Sequence, residues 1–297
     1  MINDNKSLTF ALFGNTFQEK KSMAVQKFLA IAEQKKANII IQKPFYQFLK
    51  DRLRIALPEC GIIDNDDFKA DYVVCMGGDG TFLDVAGRVG KKQIPIIGFN
   101  TGRLGFLASF LPEDIEEVFK DIINGKVNVE ERAVLKVESE EVDLGPMPYA
   151  LNEVAVLKHD ISSMIGIHTN INKEYLTTYQ ADGLIIGTPT GSTAYSLSVG
   201  GPIMVPQGND ILLTPVAPHS LNMRPIVLDD NSEVEIKVQS RSGSFLVAID
   251  GRSCSYPDNI LLRIKKADYK VKVVVRKTHS FFATLRQKMM WGLDNRF

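Results

Sequence analysis

The sequence predicts a chain in two parts, an α/β domain followed by a β-sandwich-like domain. Up to Gly125, short apolar runs alternate with segments of helical period, which is typical of βαβ units on a parallel sheet. After Lys126, period-two strands predominate and helical patterns are scarce. We therefore place the first domain at residues 1–126 and the second at 127–279. A C-terminal helix at about 280–297 is expected to pack back on the first domain.

Four strands and four helical segments are predicted in the first domain. The strands are the apolar runs 8–13, 39–41, 72–76 and 94–99. Helical spacing of apolar residues follows at 25–32, after a capping-box pattern at 16–19. Pro44 opens a second helical segment, and a third begins after the glycine-rich residues 77–81. Pro112 opens the fourth, with acidic residues in its first turn, and Gly125 ends it.

The second domain is predicted from alternating and short apolar strands. Residues 234–238 and 271–276 alternate with period two, as half-buried strands do. Further strands are expected at 151–157, 183–186, 211–213 and 245–249. In the tail, Phe281, Phe282, Leu285 and Met289 have helical spacing.

Composition indicates the class of protein. Hydrophobic residues make up 44% and charged residues 24%, which is ordinary for a globular chain. With 35 basic and 35 acidic residues the net charge is zero, so we expect no nucleic-acid partner. No apolar run approaches the roughly 18 residues of a membrane helix, and no secretory signal is expected. The three cysteines share no CxxC spacing, which favours reduced thiols and a cytoplasmic location.

The sharpest motif is the run Gly77, Gly78, Asp79, Gly80, Thr81, between a predicted strand and a predicted helix. Glycines let the backbone approach a ligand, and successive N–H groups at a helix start bind anions. A carboxylate among them would repel phosphate unless it takes a proton or a metal, which suggests a general base beside a phosphoryl group. The alternative is a tight turn with Asp79 as a helix cap.

Three further segments carry polar residues suited to binding. Residues 100–107 contain two glycines and Phe106, whose ring could stack on a flat ligand. Asn152 and Glu153 form a polar pair in an apolar strand and could hold sugar hydroxyls, although a strand-end pair is an equal alternative. Asp182 opens a long stretch rich in Gly, Ser and Thr, with Tyr195 as a possible stacking face.

Several common site types are not indicated. There is no GxxxxGK[ST], no GxGxxG and no GxSxG around Ser192. The four histidines are scattered without HExxH spacing, so no residue is assigned as a metal ligand.

Taken together, these motifs resemble the NAD kinase family. The resemblance rests on GGDGT, NTGRLGFL, LNE, DGLIIGTPTGSTAYSLSVGGPI and TPVAPHSL, in this order, from about residue 70 to residue 252. It implies a Rossmann-like first domain, a β-rich second domain and NAD bound between them. It also implies phosphorylation of the 2′-hydroxyl of the adenosine ribose of NAD by ATP, with a divalent metal (Mg²⁺) delivered with ATP. A homodimer or homotetramer is expected.

The resemblance also implies roles for individual residues. Asp79 matches the proton acceptor, and Gly77, Gly78, Gly80 and Thr81 form the expected phosphate-binding loop. The expected NAD contacts are Asp79, Gly80, Phe106, Asn152, Glu153, Asp182, Thr193, Ala194, Tyr195, Ser196, Leu197, Ser198 and Ala217.

Three positions depart from the family pattern. Arg88 follows Gly87 where the family often has Ala-Ala-Arg, so Arg88 receives no role. Gln180 stands where Arg is frequent, and Arg252 stands where Gln or Asn is common. Contacts to the second nucleotide half or to a phosphate are expected to differ there.

Two other functions remain open from the sequence. Diacylglycerol and sphingosine kinases carry a close version of the GGDGT motif, so a lipid kinase is the second candidate function. A module that binds NAD(H) without turnover is the third, and the intact Asp79 argues against it.

Overall fold

The computed structural model describes residues 7–16, 22–102, 105–160, 163–277 and 280–292. The chain divides into two compact units, each with its own core. The first comprises Met1–Glu131 and Val271–Phe297, and the second comprises Arg132–Lys270.

A seven-stranded sheet forms the centre of the first unit. Its strands are β1 (Thr9–Gly14), β2 (Asn38–Gln42), β3 (Gly61–Ile63), β4 (Tyr72–Met76), β5 (Ile96–Phe99), β6 (Asn128–Arg132) and β19 (Val271–Val275). The order is β3-β2-β1-β4-β5-β19-β6, and β3, β2, β1, β4, β5 and β19 pair in parallel. The middle residues of β1, β4 and β5 are buried in unbroken runs, as expected for parallel strands covered on both faces.

Helices connect and cover these strands. They are α1 (Ser22–Gln34), α2 (Lys43–Gln47), α3 (Asp79–Val89), α4 (Ile115–Ile123) and α6 (Phe281–Met289), while the short helix α5 (Tyr195–Ser198) belongs to the second unit. A π-helical turn, Phe48–Arg52, continues α2, and single 3₁₀ turns lie at Gly90–Lys92 and Pro112–Asp114. In α4 the buried residues Ile115, Val118, Phe119 and Ile122 form one face that contributes to the core.

Two six-stranded antiparallel sheets form the second unit. One has the order β11-β10-β15-β18-β7-β8 and the other β14-β13-β12-β9-β16-β17. The first consists of β7 (Leu135–Glu138), β8 (Tyr149–Ala150), β10 (Ile165–Ile171), β11 (Glu174–Ala181), β15 (Val234–Gln239) and β18 (Leu261–Lys266). The second consists of β9 (Glu153–Lys158), β12 (Gly183–Gly187), β13 (Asp210–Val216), β14 (Ile226–Asp229), β16 (Ser244–Ile249) and β17 (Arg252–Pro257).

One core joins the two sheets of the second unit. It contains Ile167 and Ile236 from one sheet and Val154 and Leu184 from the other. In β15 buried residues alternate with more exposed ones, which is the expected pattern of a sandwich strand. The predicted combination of an α/β part with a β-sandwich-like part is therefore confirmed.

The strand Val271–Val275 belongs to a different sheet from the one that its period-two pattern predicted. It was placed in the β-rich domain, but Val273 pairs in parallel with Ile96 of β5 in the first unit. Three consecutive valines, 273–275, are buried, so the strand is covered on both faces. The capping-box pattern at 16–19 lies mostly outside the described residues. Within the described part of the chain, no helix is both long and apolar enough to cross a membrane.

Candidate active site

The carboxyl ends of β1, β4 and β5 bring three loops of the first unit to one sheet edge. Consecutive strands run outward from β1 in one direction and from β4 in the other, so the topological switch point lies between these two strands. Open α/β sheets bind ligands at such a point. Asn15 follows β1 and its Nδ2 lies 3.5 Å from Oγ1 of Thr81, in the first turn of the helix that follows β4.

The glycines of the GGDGT loop have different surroundings. A Cβ on Gly77 would lie 2.3 Å from Oγ1 of Thr81, so the packing of the loop itself requires glycine there. A Cβ on Gly78 or Gly80 would meet no atom of the described residues within 4 Å, and neither glycine has a positive φ. Packing among the described residues does not require these two glycines, so their backbone leaves room for close approach by a ligand.

Asp79 is the first residue of α3, and its carboxylate is bonded to the loop after β5. Oδ2 accepts the N–H of Phe106 at 2.9 Å, while Oδ1 accepts those of Leu107 at 3.1 Å and Ala108 at 3.0 Å. No side-chain hydrogen bond caps α3 within the described residues, so the alternative that Asp79 is a helix cap is not supported. Three donors from one loop instead hold the carboxylate in a single orientation.

Phe106 has its ring against the C-terminal helix of the same unit. Its ring centre lies 6.4 Å from that of Phe281, and Nζ of Lys288 lies 6.0 Å from it. The residue that donates to Asp79 through its backbone is thus also held by α6 through its ring.

A second cluster forms in the β-rich unit where β9 begins. Gly187 of β12 pairs with Glu153, and Thr188 donates its N–H to the carbonyl of Asn152 at 2.8 Å. A Cβ on Gly191 would lie 2.1 Å from that carbonyl oxygen, so the glycine lets the loop after β12 pack on Asn152. The structure therefore brings together two segments that the sequence selected separately.

Glu153 is the most perturbed carboxyl group of this cluster. Its side chain is buried and Oε2 has no hydrogen-bond partner among the described residues. Burial, with the nearby charge of Asp250, raises the pKa of Glu153 to about 7, while the backbone N–H of Tyr195 acts in the opposite direction. A buried carboxyl group with a free acceptor oxygen is typical of a ligand site.

The segment 193–198 presents a mixture of exposed and committed side chains. Tyr195 and Ser198 are exposed, and Thr193, Ala194 and Leu197 are partly exposed. Ser196 is fully buried and its Oγ lies 2.8 Å from Oγ1 of Thr214. The hydroxyl of Ser196 is thus used inside the unit.

Asp182 immediately precedes β12 and Ala217 immediately follows β13, and these two strands are neighbours in one sheet. One oxygen of Asp182 is 2.7 Å from Nζ of Lys158 on β9. Ala217 follows β13 and has φ of +43°, a conformation that L-residues avoid and that strained functional loops often retain.

Sequence reasoning missed Asp250. Its carboxylate accepts the N–H groups of Leu151, Asn152 and Glu153 at 2.7, 2.8 and 3.2 Å. Asp250 and Gly251 have φ of +47° and +79° in the two-residue turn between β16 and β17. Such a turn favours Asp-Gly, so the signal for a hairpin was present, although nothing nearby in sequence indicated the partner.

The three departures from the family pattern have partners inside the protein. Arg88 forms ion pairs with Asp84 and Asp66, each at 3.0 Å. Arg252 donates to the carbonyl of Tyr149 at 3.0 Å. Gln180 is exposed and its carbonyl accepts the N–H of His219 at 2.8 Å.

Comparison with known proteins gives a consistent family. Residues 14–127 match the sequence profile of the ATP-NAD kinase N-terminal domain, and residues 151–276 match that of the ATP-NAD kinase C-terminal domain. An NAD kinase of Bacteroides fragilis is 54% identical over 97% of this chain and 100% of its own length. One from Porphyromonas gingivalis is 41% identical over 95% of this chain and 97% of its own.

Solved structures share the fold. A yeast NADH kinase complexed with NADH has a TM-score of 0.89 and 22% identity, covering 99% of this chain and 90% of its own. An NAD kinase from Archaeoglobus fulgidus in complex with ATP has a TM-score of 0.73 and 24% identity, covering 95% of this chain and 99% of its own. The lipid-kinase alternative is excluded, because profiles and relatives agree over nearly the whole length: the chain belongs to the NAD kinase family.

Proposed function

We propose that the cluster around Asp79 carries out phosphoryl transfer and that the cluster around Glu153 binds NAD. The chain is an enzyme of the NAD kinase family and transfers the γ-phosphoryl group of ATP to NAD, giving NADP. The 2′-hydroxyl oxygen of the adenosine ribose bonds to the γ-phosphorus as the bond to the bridging oxygen of ADP breaks, and the hydroxyl proton must go to a base. The observation that carries the proposal is the Asp79 carboxylate, oriented by three N–H groups beside two glycines that packing among the described residues does not require.

Hydrogen-bond geometry supports one oxygen of Asp79 over the other as the proposed proton acceptor. A carboxylate has about four lone-pair positions, two on each oxygen. Oδ1 already accepts two N–H groups, whereas among the described residues Oδ2 accepts only that of Phe106. Oδ2 thus keeps an acceptor position, and we assign it the ribose proton. General-base catalysis of this kind contributes about 10²–10⁴-fold.

The start of α3 supplies donors for the ATP phosphates. The first bond of the helix runs from the N–H of Phe82 to the carbonyl of Gly78, so the N–H groups of Gly80 and Thr81 precede it. A helix N-terminus favours anions, and the open surroundings of Gly78 and Gly80 allow close approach. We assign this loop, with Gly77 shaping it and the Thr81 hydroxyl beside it, to the donor phosphates.

The second cluster is assigned to NAD. Asn152 and Glu153 offer an amide and a carboxyl group to ribose hydroxyls, and Asp182 and the exposed parts of 193–198 offer further polar contacts. Tyr195 is assigned as a stacking surface and Ala217 as a backbone contact. For Ser196 any contact runs through its backbone, because its hydroxyl is bonded to Thr214. In the first unit, Phe106 is assigned as the neighbour of the adenine and Gly80 as a further NAD contact.

A divalent metal is assigned to the ATP phosphates. In the described part of the chain no three His, Cys, Asp or Glu side chains converge on one point. This arrangement, without a cage of protein ligands among the described residues, fits Mg²⁺ that keeps several waters and is held mainly by the phosphate oxygens of ATP. The metal, when bound, neutralises charge that develops on the transferred group. A chelator is expected to abolish turnover and added Mg²⁺ to restore it.

The assignment is tested by parallel incubation of the purified chain with γ-labelled ATP, Mg²⁺, and either NAD or diacylglycerol. Label is expected in NADP and not in lipid. Asp79→Asn should lower kcat by about 10²–10⁴-fold while the dissociation constant for NAD changes much less, because an amide can still bond to a hydroxyl. Asp84→Asn, later in the same helix, is the matched control. Turnover of Asp79→Asn within about tenfold of wild type would show that the chemistry does not depend on this carboxylate.

The proposal also covers the oligomeric state and the cellular location. We propose a homodimer or homotetramer, tested by sedimentation of the purified chain, and a cytoplasmic location, tested by cell fractionation.

A further inference from the structure

The turn between β16 and β17 binds backbone N–H groups of the segment 147–153. The two oxygens of Asp250 accept three successive N–H groups of this segment, from Leu151 to Glu153. In return the N–H of Asp250 donates to the carbonyl of Glu153 at 3.1 Å. These four bonds join parts of the chain that are 97 to 99 residues apart.

Arg252 binds backbone carbonyl groups of the same segment. Its Nη2 donates to the carbonyl of Tyr149 at 3.0 Å and to that of Met147 at 3.5 Å. The segment passes from β8 in one sheet of the second unit to β9 in the other, so its backbone cannot be held by a single ladder. The carboxylate of Asp250 thus accepts hydrogen bonds from the N–H groups of this segment, and the guanidinium of Arg252 donates hydrogen bonds to its carbonyls. Asp250 and Arg252 are two residues apart on one hairpin.

Charges around Glu153 are coupled to this hairpin. Partial burial raises the pKa of Asp250, while its three N–H donors and then Arg252 act in the opposite direction. Burial followed by the charges of Tyr149, Asp268 and Asp250 raises the pKa of Tyr269, so this phenol is neutral at working pH. Among the described residues, Asp250 is the charged group that shifts the pKa of Glu153, and Arg252 in turn acts on Asp250.

We propose that Asp250 and Arg252 are a positioning pair that presents Asn152 and Glu153 to NAD through the backbone of 147–153. The proposal rests on the assignment of Asn152 and Glu153 to NAD. The proposal also gives a role to Arg252, which departs from the family pattern. A neutral side chain at this position would bind the carbonyls of 147–153 more weakly, because charge-assisted hydrogen bonds are about twice as strong as neutral ones.

The test uses Asp250→Asn, Arg252→Gln and Arg252→Lys in the full chain. Kinetic constants for NAD and ATP, the pH profile of kcat/KM for NAD, and thermal stability are measured for each. Asp250→Asn places an NH₂ group against an N–H donor, and we expect KM for NAD to rise about tenfold, the equivalent of one lost hydrogen bond, with KM for ATP nearly unchanged. Its pH midpoint should move to lower pH, because a negative charge beside Glu153 is removed.

Arg252→Gln should raise KM for NAD and Arg252→Lys should restore part of the loss, since lysine keeps a charged donor for the carbonyls. The matched controls are Asp229→Asn, another carboxylate that accepts a backbone N–H in a turn, and Arg263→Gln, an arginine on the other sheet. Both should leave KM for NAD unchanged.

Reduced thermal stability with an unchanged KM for NAD and an unchanged pH midpoint would make Asp250 merely structural and overturn the proposal. Should Asp250→Asn fail to fold, the arginine variants decide: Arg252→Gln with the same KM as Arg263→Gln overturns it. A wild-type chain that forms no NADP would instead refute the proposed function.

Discussion

A side chain on Gly105 cannot coexist with the carboxylate of Asp79, because a Cβ there would lie 1.9 Å from Oδ1 of Asp79. The next three residues, Phe106 to Ala108, donate their N–H groups to the same carboxylate. Gly105 thus provides the space, and the loop provides the donors, for the group that we assign as the base.

Gly105→Ala is expected to reduce kcat by about 10²–10⁴-fold, the range for loss of a general base, because Asp79 must turn away from its present position. KM for NAD should change less. Steady-state kinetics measure both. The control is Gly102→Ala in the same loop, where a Cβ would lie 3.7 Å from Oδ1 of Asn100, an ordinary contact. Full activity of Gly105→Ala would show that the orientation of Asp79 by this loop is not needed.

Gly80→Ala should separate stability from catalysis. Gly80 lies in the first turn of α3 and a Cβ there meets no described atom within 4 Å, so alanine should stabilise the helix by up to about 1 kcal/mol. KM for ATP should nevertheless rise, because the methyl group occupies the space assigned to phosphate. Thermal midpoint and ATP kinetics check the two effects. Gly77→Ala, whose Cβ would meet Thr81 at 2.3 Å, should instead destabilise the fold. An unchanged KM for ATP in Gly80→Ala would contradict the phosphate assignment.

Tyr195→Ala is expected to weaken NAD binding by about 1–3 kcal/mol, the range for a lost stacking contact. The side chain is 37% exposed, so the fold should survive. Calorimetric titration with NAD measures the loss. Tyr175→Ala, which removes an exposed tyrosine from β11, should leave the affinity unchanged. Equal affinities of wild type and Tyr195→Ala would show that Tyr195 is not a stacking surface for NAD.

Glu153 should make stability fall as pH rises from about 4.5 to about 7. Below pH 4.5 the carboxyl group is protonated in both states. Between pH 4.5 and 7 the unfolded chain loses the proton while the folded chain, with a pKa of about 7, keeps it, which favours unfolding. Above pH 7 the difference of about 2.5 between the folded and unfolded pKa values of Glu153 lowers the free energy of unfolding by about 3 kcal/mol.

Glu153→Gln removes this titration. The variant is therefore expected to gain up to about 3 kcal/mol of stability over wild type at pH 8 and much less at pH 5, measured by urea unfolding. Its NAD affinity should be lower than that of wild type at pH 8, where an ionised Glu153 accepts ribose hydroxyls. Glu174→Gln on the surface is the control. A stability difference independent of pH would contradict the raised pKa.

Much of the fold and of the candidate site follows from short stretches of sequence. The strand Tyr72–Met76 lies where its apolar run predicted, and the helix predicted after GGDGT begins within that motif, at Asp79. Both are local properties, because hydrophobic period and turn chemistry act over a few residues. The assignment of Val271–Val275 was wrong for a related reason: three adjacent valines fit an alternating pattern as readily as a run buried on both faces.

By itself the sequence determined the class of each half, the loop that carries Asp79 and the family to which these motifs point. Only the tertiary structure decided which backbone groups hold the carboxylates of Asp79 and Asp250. The donors to Asp79 come from 27 to 29 residues further along the chain, and those to Asp250 from 97 to 99 residues earlier. No local pattern marks such partners, because a backbone N–H is the same in every residue but proline and its direction is set by how distant strands pack.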